Sequence, residues 1–150
     1  MPTIEIQSTI SAPPQKVWDF VSDIEKGPEW VTVMQKLIST TANPLTEGAV
    51  YRERSKIGPS ESETEWRVTR FDPPKVQVHE CSEPTLKARL TLTVEPAGDG
   101  ARLTHRTEYR LMPRFRPLGW LAERLFAHSL MTRNMRATVD NAKRMIESEA

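Results

Sequence analysis

The last third of the chain carries Leu118, Leu121, Leu125, His128, Thr132, Met135, Val139, Ala142 and Ile146 at alternating steps of three and four residues. That spacing lines one face of a helix from about Pro117 to about Glu147, on the order of 45 Å long at 1.5 Å per residue. Protein helices draw most of their stability from a packed face, so one this long needs a broad apolar partner. A curved sheet is the only candidate in the remaining sequence. His128 and Thr132 are polar members of the stripe, which is therefore expected to face something other than hydrocarbon.

The rest of the chain supplies that sheet. Ile4, Ile6 and Ile10 share one parity and Glu5, Gln7 and Thr9 the other, the pattern of a half-buried strand. Pro13 and Pro14 end it and suit the first turn of a helix, where a missing N–H costs nothing; Val17, Val21 and Ile24 follow at helical spacing. Gly27 and Pro28 stop that helix, with one further turn over Pro28, Glu29 and Trp30. From Val31 to Met112, breaks at Asn43-Pro44, Gly58-Pro59, Asp72-Pro73-Pro74, Ser82 to Pro84 and Gly98-Asp99-Gly100 divide the sequence into six strands. Connections this short favour antiparallel neighbours, and Asp99-Gly100 suits a tight hairpin. One domain is expected to span residues 1–150, with no repeat or linker.

Composition narrows the function classes. A chain of 150 residues with 21 basic and 20 acidic side chains exerts no global pull on nucleic acid or an anionic membrane. The lone Cys81 cannot form an internal disulfide, and the start MPTIEIQSTI lacks a secretory signal's basic flank and apolar run, so a cytoplasmic location is expected. No stretch approaches about 18 consecutive apolar residues, which argues against stable membrane insertion. His79, His105 and His128 lack metal-ligand spacing, and there is no Gly-rich phosphate loop; no metal and no cofactor are expected.

The element order and several local runs are similar to a known superfamily. Ser11-Ala12-Pro13-Pro14-Gln15-Lys16-Val17-Trp18, then Ser22-Asp23, Pro28-Glu29-Trp30, Phe71-Asp72-Pro73-Pro74 and Gly98-Asp99-Gly100-Ala101-Arg102-Leu103-Thr104 resemble the polyketide cyclase/dehydrase and lipid-transport group of the START-like (SRPBCC) helix-grip superfamily. The resemblance covers about residues 3 to 147. It implies an α+β helix-grip fold: a curved seven-stranded antiparallel sheet around a long C-terminal helix, with two short helices after the first strand. It also implies a cavity between sheet and helix for a hydrophobic or amphipathic small molecule, in a superfamily that includes carriers and aromatase/cyclases.

Strand parity nominates the side chains that would enter such a cavity. Leu86, Ala88, Leu90, Leu92 and Val94 form one inward set, and Leu103, His105, Thr107, Tyr109 and Leu111 another. Tyr51, Glu53, Ser55 and Ile57 form the less charged parity of their strand, making Glu53 a buried-carboxylate candidate. Trp66 and Val68 turn inward and send Glu63, Glu65 and Arg67 to a solvated face. His79 and Cys81 alternate with Val76 and Val78, so both are expected to point outward, leaving Cys81 without an inward base.

Two uses of these groups stay open. In the first, a small hydrophobic or aromatic ligand is anchored by His105, His128, Tyr109 and Glu53, within walls that include Tyr51, Trp66, Leu90, Leu92, Leu103, Leu121, Leu125, Thr132 and Met135. In the second, His105, His128, Glu53 and Tyr109 act as general acids and bases in a polyketide cyclisation or dehydration. A third reading concerns Arg110, Arg114, Arg116 and Arg124 among Phe115, Trp120 and Phe126, a patch fit for a homodimer contact or transient membrane docking. Either a monomer or a homodimer is compatible with it.

Overall fold

The computed structural model describes residues 2–84, 86–111 and 120–149, excepting the side chains of 111 and 120–124. Strand β1 (Thr3–Ile10) leads into helix α1 (Pro14–Ser22), a 3-10 turn (Ile24–Lys26) and the short α2 (Gly27–Trp30). Six strands follow: β2 (Met34–Thr40), β3 (Val50–Ile57), β4 (Ser60–Asp72), β5 (Val76–Ser82), β6 (Leu86–Ala97) and β7 (Gly100–Leu111). Helix α3 (Trp120–Ser148) closes the fold. All strand pairs are antiparallel, in the order β1-β7-β6-β5-β4-β3-β2. This is the helix-grip arrangement.

Two hairpins are built alike. The β3–β4 turn runs through Gly58-Pro59 and the β6–β7 turn through Gly98-Asp99, each with a glycine of positive φ as its first central residue, +60° and +56°. The conformational freedom in the second turn therefore sits at Gly98, one position before the expected Asp99-Gly100 pair, as a two-residue turn with glycine first requires. Gly100 instead forms the first pair of β7, where an added Cβ would collide with the Ile10 carbonyl oxygen.

The interior divides along the axis of α3. At one end Val17, Trp18, Phe20 and Val21 of α1 pack on Leu92, Val94 and Leu103 of the sheet, sealed by Ala142 and Ile146 of α3. Pro13 and Pro14 start α1 without a side-chain cap, and the Asp23 N–H returns to the Phe20 carbonyl at 3.3 Å to end it. At the other end Ile4, Ile6, Ala88 and Tyr109 meet Met135 and Val139. A seam joins α3 to the segment after α2. The Thr32 N–H donates to Thr138 Oγ1 at 3.1 Å, its hydroxyl donates to the Asn134 carbonyl at 3.0 Å, and Asn141 Nδ2 donates to the Trp30 carbonyl at 3.2 Å.

Candidate functional site

Between α3, the α2 segment and the concave faces of β3 to β7 lies an apolar cavity enclosing about 150 Å³. That is the size of an engineered cavity able to take up benzene, and about half the lower bound for a site holding a drug-sized ligand. Leu86, Ala88, Leu90 and Leu92 of β6, with Met131 and Met135 of α3, provide much of the wall. Two polar networks interrupt it.

The first centres on Glu53. Sheet register sets Glu53 directly opposite Thr64, with Ser55 two residues along the same face and Trp66 diagonal to it. Donor groups from all three converge on one carboxylate oxygen: Trp66 Nε1 at 2.9 Å, Ser55 Oγ at 3.1 Å and Thr64 Oγ1 at 3.3 Å from Oε1. The two hydroxyls lie 2.9 Å apart, so two hydrogens serve three contacts and one hydroxyl shares its hydrogen between its neighbour and Glu53. Among the described residues nothing bonds Oε2. Burial raises the Glu53 pKa, and the three hydrogen bonds, which favour the anion, oppose it in part. With Oε1 crowded by donors, a proton taken up by Glu53 belongs on Oε2.

The second network is a chain. The Tyr51 hydroxyl lies 2.7 Å from His79 Nδ1, His79 Nε2 lies 2.8 Å from Gln77 Oε1, and Gln77 Nε2 donates to Ser22 Oγ at 3.0 Å. A carboxamide oxygen only accepts, so His79 carries its hydrogen on Nε2 and receives the Tyr51 hydroxyl at Nδ1. Burial depresses His79 to about 3, with His105 nearby adding to the effect, and lifts the Tyr51 hydroxyl well above its usual value. Both rings are neutral near pH 7.

His105 completes the polar lining. It sits across from Leu92 on the row that also holds Gln77, and burial lowers its pKa to about 4. Its Nδ1 is enclosed with no partner among the described residues, as is Trp30 Nε1 on the opposite wall. Unsatisfied buried polar atoms are uncommon in folded proteins, and here two of them border one cavity.

Of the residues nominated by sequence, Tyr51, Glu53, Trp66, Leu90, Leu92, His105 and Met135 line this cavity. The others lie elsewhere. Leu103 is fully enclosed in the solid core, and the Tyr109 hydroxyl is 2.6 Å from His128 Nδ1 at the flank of α3. Thr132 turns its hydroxyl back to the His128 carbonyl at 2.8 Å. Leu125 is 69% exposed, and the side chain of Leu121 lies outside those described, as does most of the Arg110 to Phe126 patch. His128 and His105 do not face each other across the cavity.

The outward expectation for β5 is corrected. His79 and Cys81 are each 3% exposed and Gln77 is fully enclosed, while Val76 and Val78 take the outer, half-buried face. A register shift between Val68 and Arg70 accompanies the β4–β5 pairing, and His79 lies opposite Val68 and Leu90, both inward. Burial pushes the Cys81 thiol up to about 12, so it stays protonated among Ile4, Ile6 and Ala88. Ser55, Thr64, Thr107, Asn134 and Thr138 also border the cavity. Strand parity reaches Ser55 and Thr107, and Thr64 through Trp66 and Val68; only helix rotation finds Asn134 and Thr138.

Comparison with known proteins places this architecture. Residues 1–147 match the family described as polyketide cyclase / dehydrase and lipid transport. The chain belongs to that family. An uncharacterized protein of Mycobacterium tuberculosis is 30% identical over 125 residues, covering 83% of this chain and 87% of that protein. The fold is shared with a START superfamily protein from Mycobacterium smegmatis (TM-score 0.78, 11% identity, 99% of both chains). It is shared equally with the Zhui aromatase/cyclase from Streptomyces sp. R1128 (TM-score 0.81, 14% identity, 97% of this chain and 93% of that one). Among the described residues no helix is long and apolar enough to cross a membrane.

Proposed function

We propose that this protein is a cytoplasmic, single-domain binder of a small hydrophobic or aromatic molecule, held between the sheet and α3. The observation that carries this reading is an apolar cavity whose polar atoms are only partly used: Glu53 Oε2 accepts nothing among the described residues, and His105 Nδ1 and Trp30 Nε1 lack partners. A solid core would have no reason to keep three such groups beside a void. The volume favours a ligand of about one ring. Native mass spectrometry of gently purified protein, followed by a thermal-shift screen of single-ring compounds, is expected to find a binder. Filling the cavity by Ala88→Phe should abolish the shift; a variant that binds equally well would sink this reading.

Glu53 also favours a second reading, acid–base catalysis of a cyclisation or dehydration. A carboxyl group of raised pKa, with its titrating oxygen turned away from its own network, is suited to deliver a proton to a ligand carbonyl. His105→Ala and His128→Ala separate the candidate bases, because only His105 lines the cavity. Loss of turnover of a small polyketone in Glu53→Gln and His105→Ala, with binding retained, is the expected outcome for an enzyme. Equal turnover in Glu53→Gln and the parent would remove the catalytic role.

A further inference from the structure

The charge inventory of the cavity is one-sided. Asp23 and Glu53 are the carboxylates among the described lining residues, and none of those residues is Lys or Arg. The histidines do not redress this, since His79 is committed at both nitrogens to Tyr51 and Gln77. His105 is 7% exposed and has no carboxylate bonded to it that would hold it as a cation. Most hydrogen-bond donors on the sheet side are already committed, while the neutral Trp30 indole N–H on the opposite wall has no partner among the described residues. Ser55, Thr64 and Trp66 spend their donors on the inner Glu53 oxygen, and Tyr51 spends its own on His79, which leaves Glu53 Oε2 facing the ligand space as an acceptor.

A ligand carboxylate or phosphate placed here would exchange its water for neutral donors such as the Trp30 N–H and sit beside the Glu53 carboxyl, with no Lys or Arg among the described lining residues to offset the desolvation. A hydroxyl or ammonium group would instead find Oε2 waiting. We propose that the cavity selects ligands whose polar end is a hydrogen-bond donor without negative charge, an alcohol, phenol or amine, and rejects those that end in a carboxylate or phosphate, with Glu53 as the selecting residue. This rests on the binding role proposed above and names the ligand chemistry for it.

The test uses three compounds of one skeleton: 4-ethylbenzyl alcohol, 4-ethylbenzylamine and 4-ethylbenzoate. Each is titrated into the full-length protein near pH 7.5 and followed by the indole N–H resonance of Trp66, which lines the cavity and donates to Glu53. The alcohol and the amine should shift that resonance saturably, with the benzoate at least about tenfold weaker than either. Benzoate binding as tight as the alcohol would overturn the selectivity while leaving the binding role intact. No response to any of the three would remove both.

Glu53→Gln keeps an oxygen for the three donors and replaces Oε2 by an NH2 donor. In that variant the amine should weaken by about tenfold, the alcohol should stay within about threefold, and the gap between alcohol and benzoate should close. An unchanged ranking would show that another group sets the preference. The comparison of the three ligands on the parent protein stands even if the variant does not fold.

Discussion

Helix α3 meets the sheet in two ways. From Val139 to Ile146 it buries Val139, Ala142 and Ile146 completely, two of them in a packed apolar cluster with Lys143 and Glu147 bonded to the Thr9 carbonyl and the Ser11 N–H at its rim. From Met131 to Thr138 it turns Met131, Asn134, Met135 and Thr138 toward the cavity, where a carboxylate and two histidines are enclosed with it. The same strands serve both ends: Leu92 and Leu103 belong to the packed cluster, and His105, two residues on from Leu103, belongs to the cavity. The packed cluster is apolar and its pH dependence is confined to its rim, where Lys143 and the Ser11 N–H hold Glu147 below the usual carboxylate range, whereas the cavity end carries buried polar groups whose cost depends on pH.

Acid is the strongest probe of that contrast. His79 and His105 are held at about 3 and about 4, below the 6.5 of an unfolded histidine, so between about pH 6.5 and pH 4 the unfolded chain binds more protons than the native one. Stability is then present above pH 6.5 and falls with acid, by about 1.4 kcal/mol per pH unit for each ring, or about 4 kcal/mol for the pair at pH 5. Glu53 works in the opposite sense: its raised native pKa makes the folded state hold a proton the unfolded state has released, so acidification recovers a fraction of the loss. Urea midpoints at pH 7 and pH 5 measure the net change. Hydrogen exchange at pH 5 should show β5 and β7 loosening before α1; a flat pH response would break the contrast.

Truncations come next in size. Ile146→Ala at the packed end should cost about 3 kcal/mol, whereas Met135→Ala, whose side chain already borders a void, should cost about half as much. Equal losses by chemical denaturation would mean that the cavity end is as tightly filled as the other. Trp66→Phe removes one of the donors on Glu53 and should cost about 1 kcal/mol while raising the carboxyl pKa further, visible in the Glu53 side-chain carbon resonance across a pH titration. Smallest of all, Leu125→Ser or Phe126→Ser should change stability by no more than about 0.5 kcal/mol, because these side chains are 69% and 62% exposed. A loss above about 2 kcal/mol would show that they are covered in solution.

Alternation and turn residues carried the fold legibly: Ile4, Ile6 and Ile10, the breaks at Gly58-Pro59 and Gly98-Asp99, and the final stripe from Met135 to Ile146 all lie where the sequence pattern puts them. The site was less legible, for two physical reasons. Hydrophobic parity assumes that the interior is hydrocarbon, and β5 violates the assumption by turning Gln77 and His79 into a polar network and leaving Val76 and Val78 outside. The helix stripe was drawn with a period of 3.5 residues, whereas an α-helix turns every 3.6 and drifts about 20° per heptad. Over the three heptads between Ile146 and Leu125 that amounts to about 60°, enough to carry Leu125 off the sheet while Met131, Asn134 and Thr138 rotate toward the cavity. Glu53 was legible because its strand sets a less charged parity, Tyr51, Glu53, Ser55 and Ile57, against Val50, Arg52, Arg54 and Lys56.

Trp30 gives the cavity an optical consequence. An indole whose N–H is enclosed without a partner, among apolar walls, has little solvent dipole around it to relax its excited state, so its emission lies toward the blue. Trp66, on the other side of the same space, has its N–H on a carboxylate that can quench it. A guest that bonds either indole, or shifts the charge on Glu53, changes the colour or brightness of the protein's own fluorescence, and occupancy can be followed without a label.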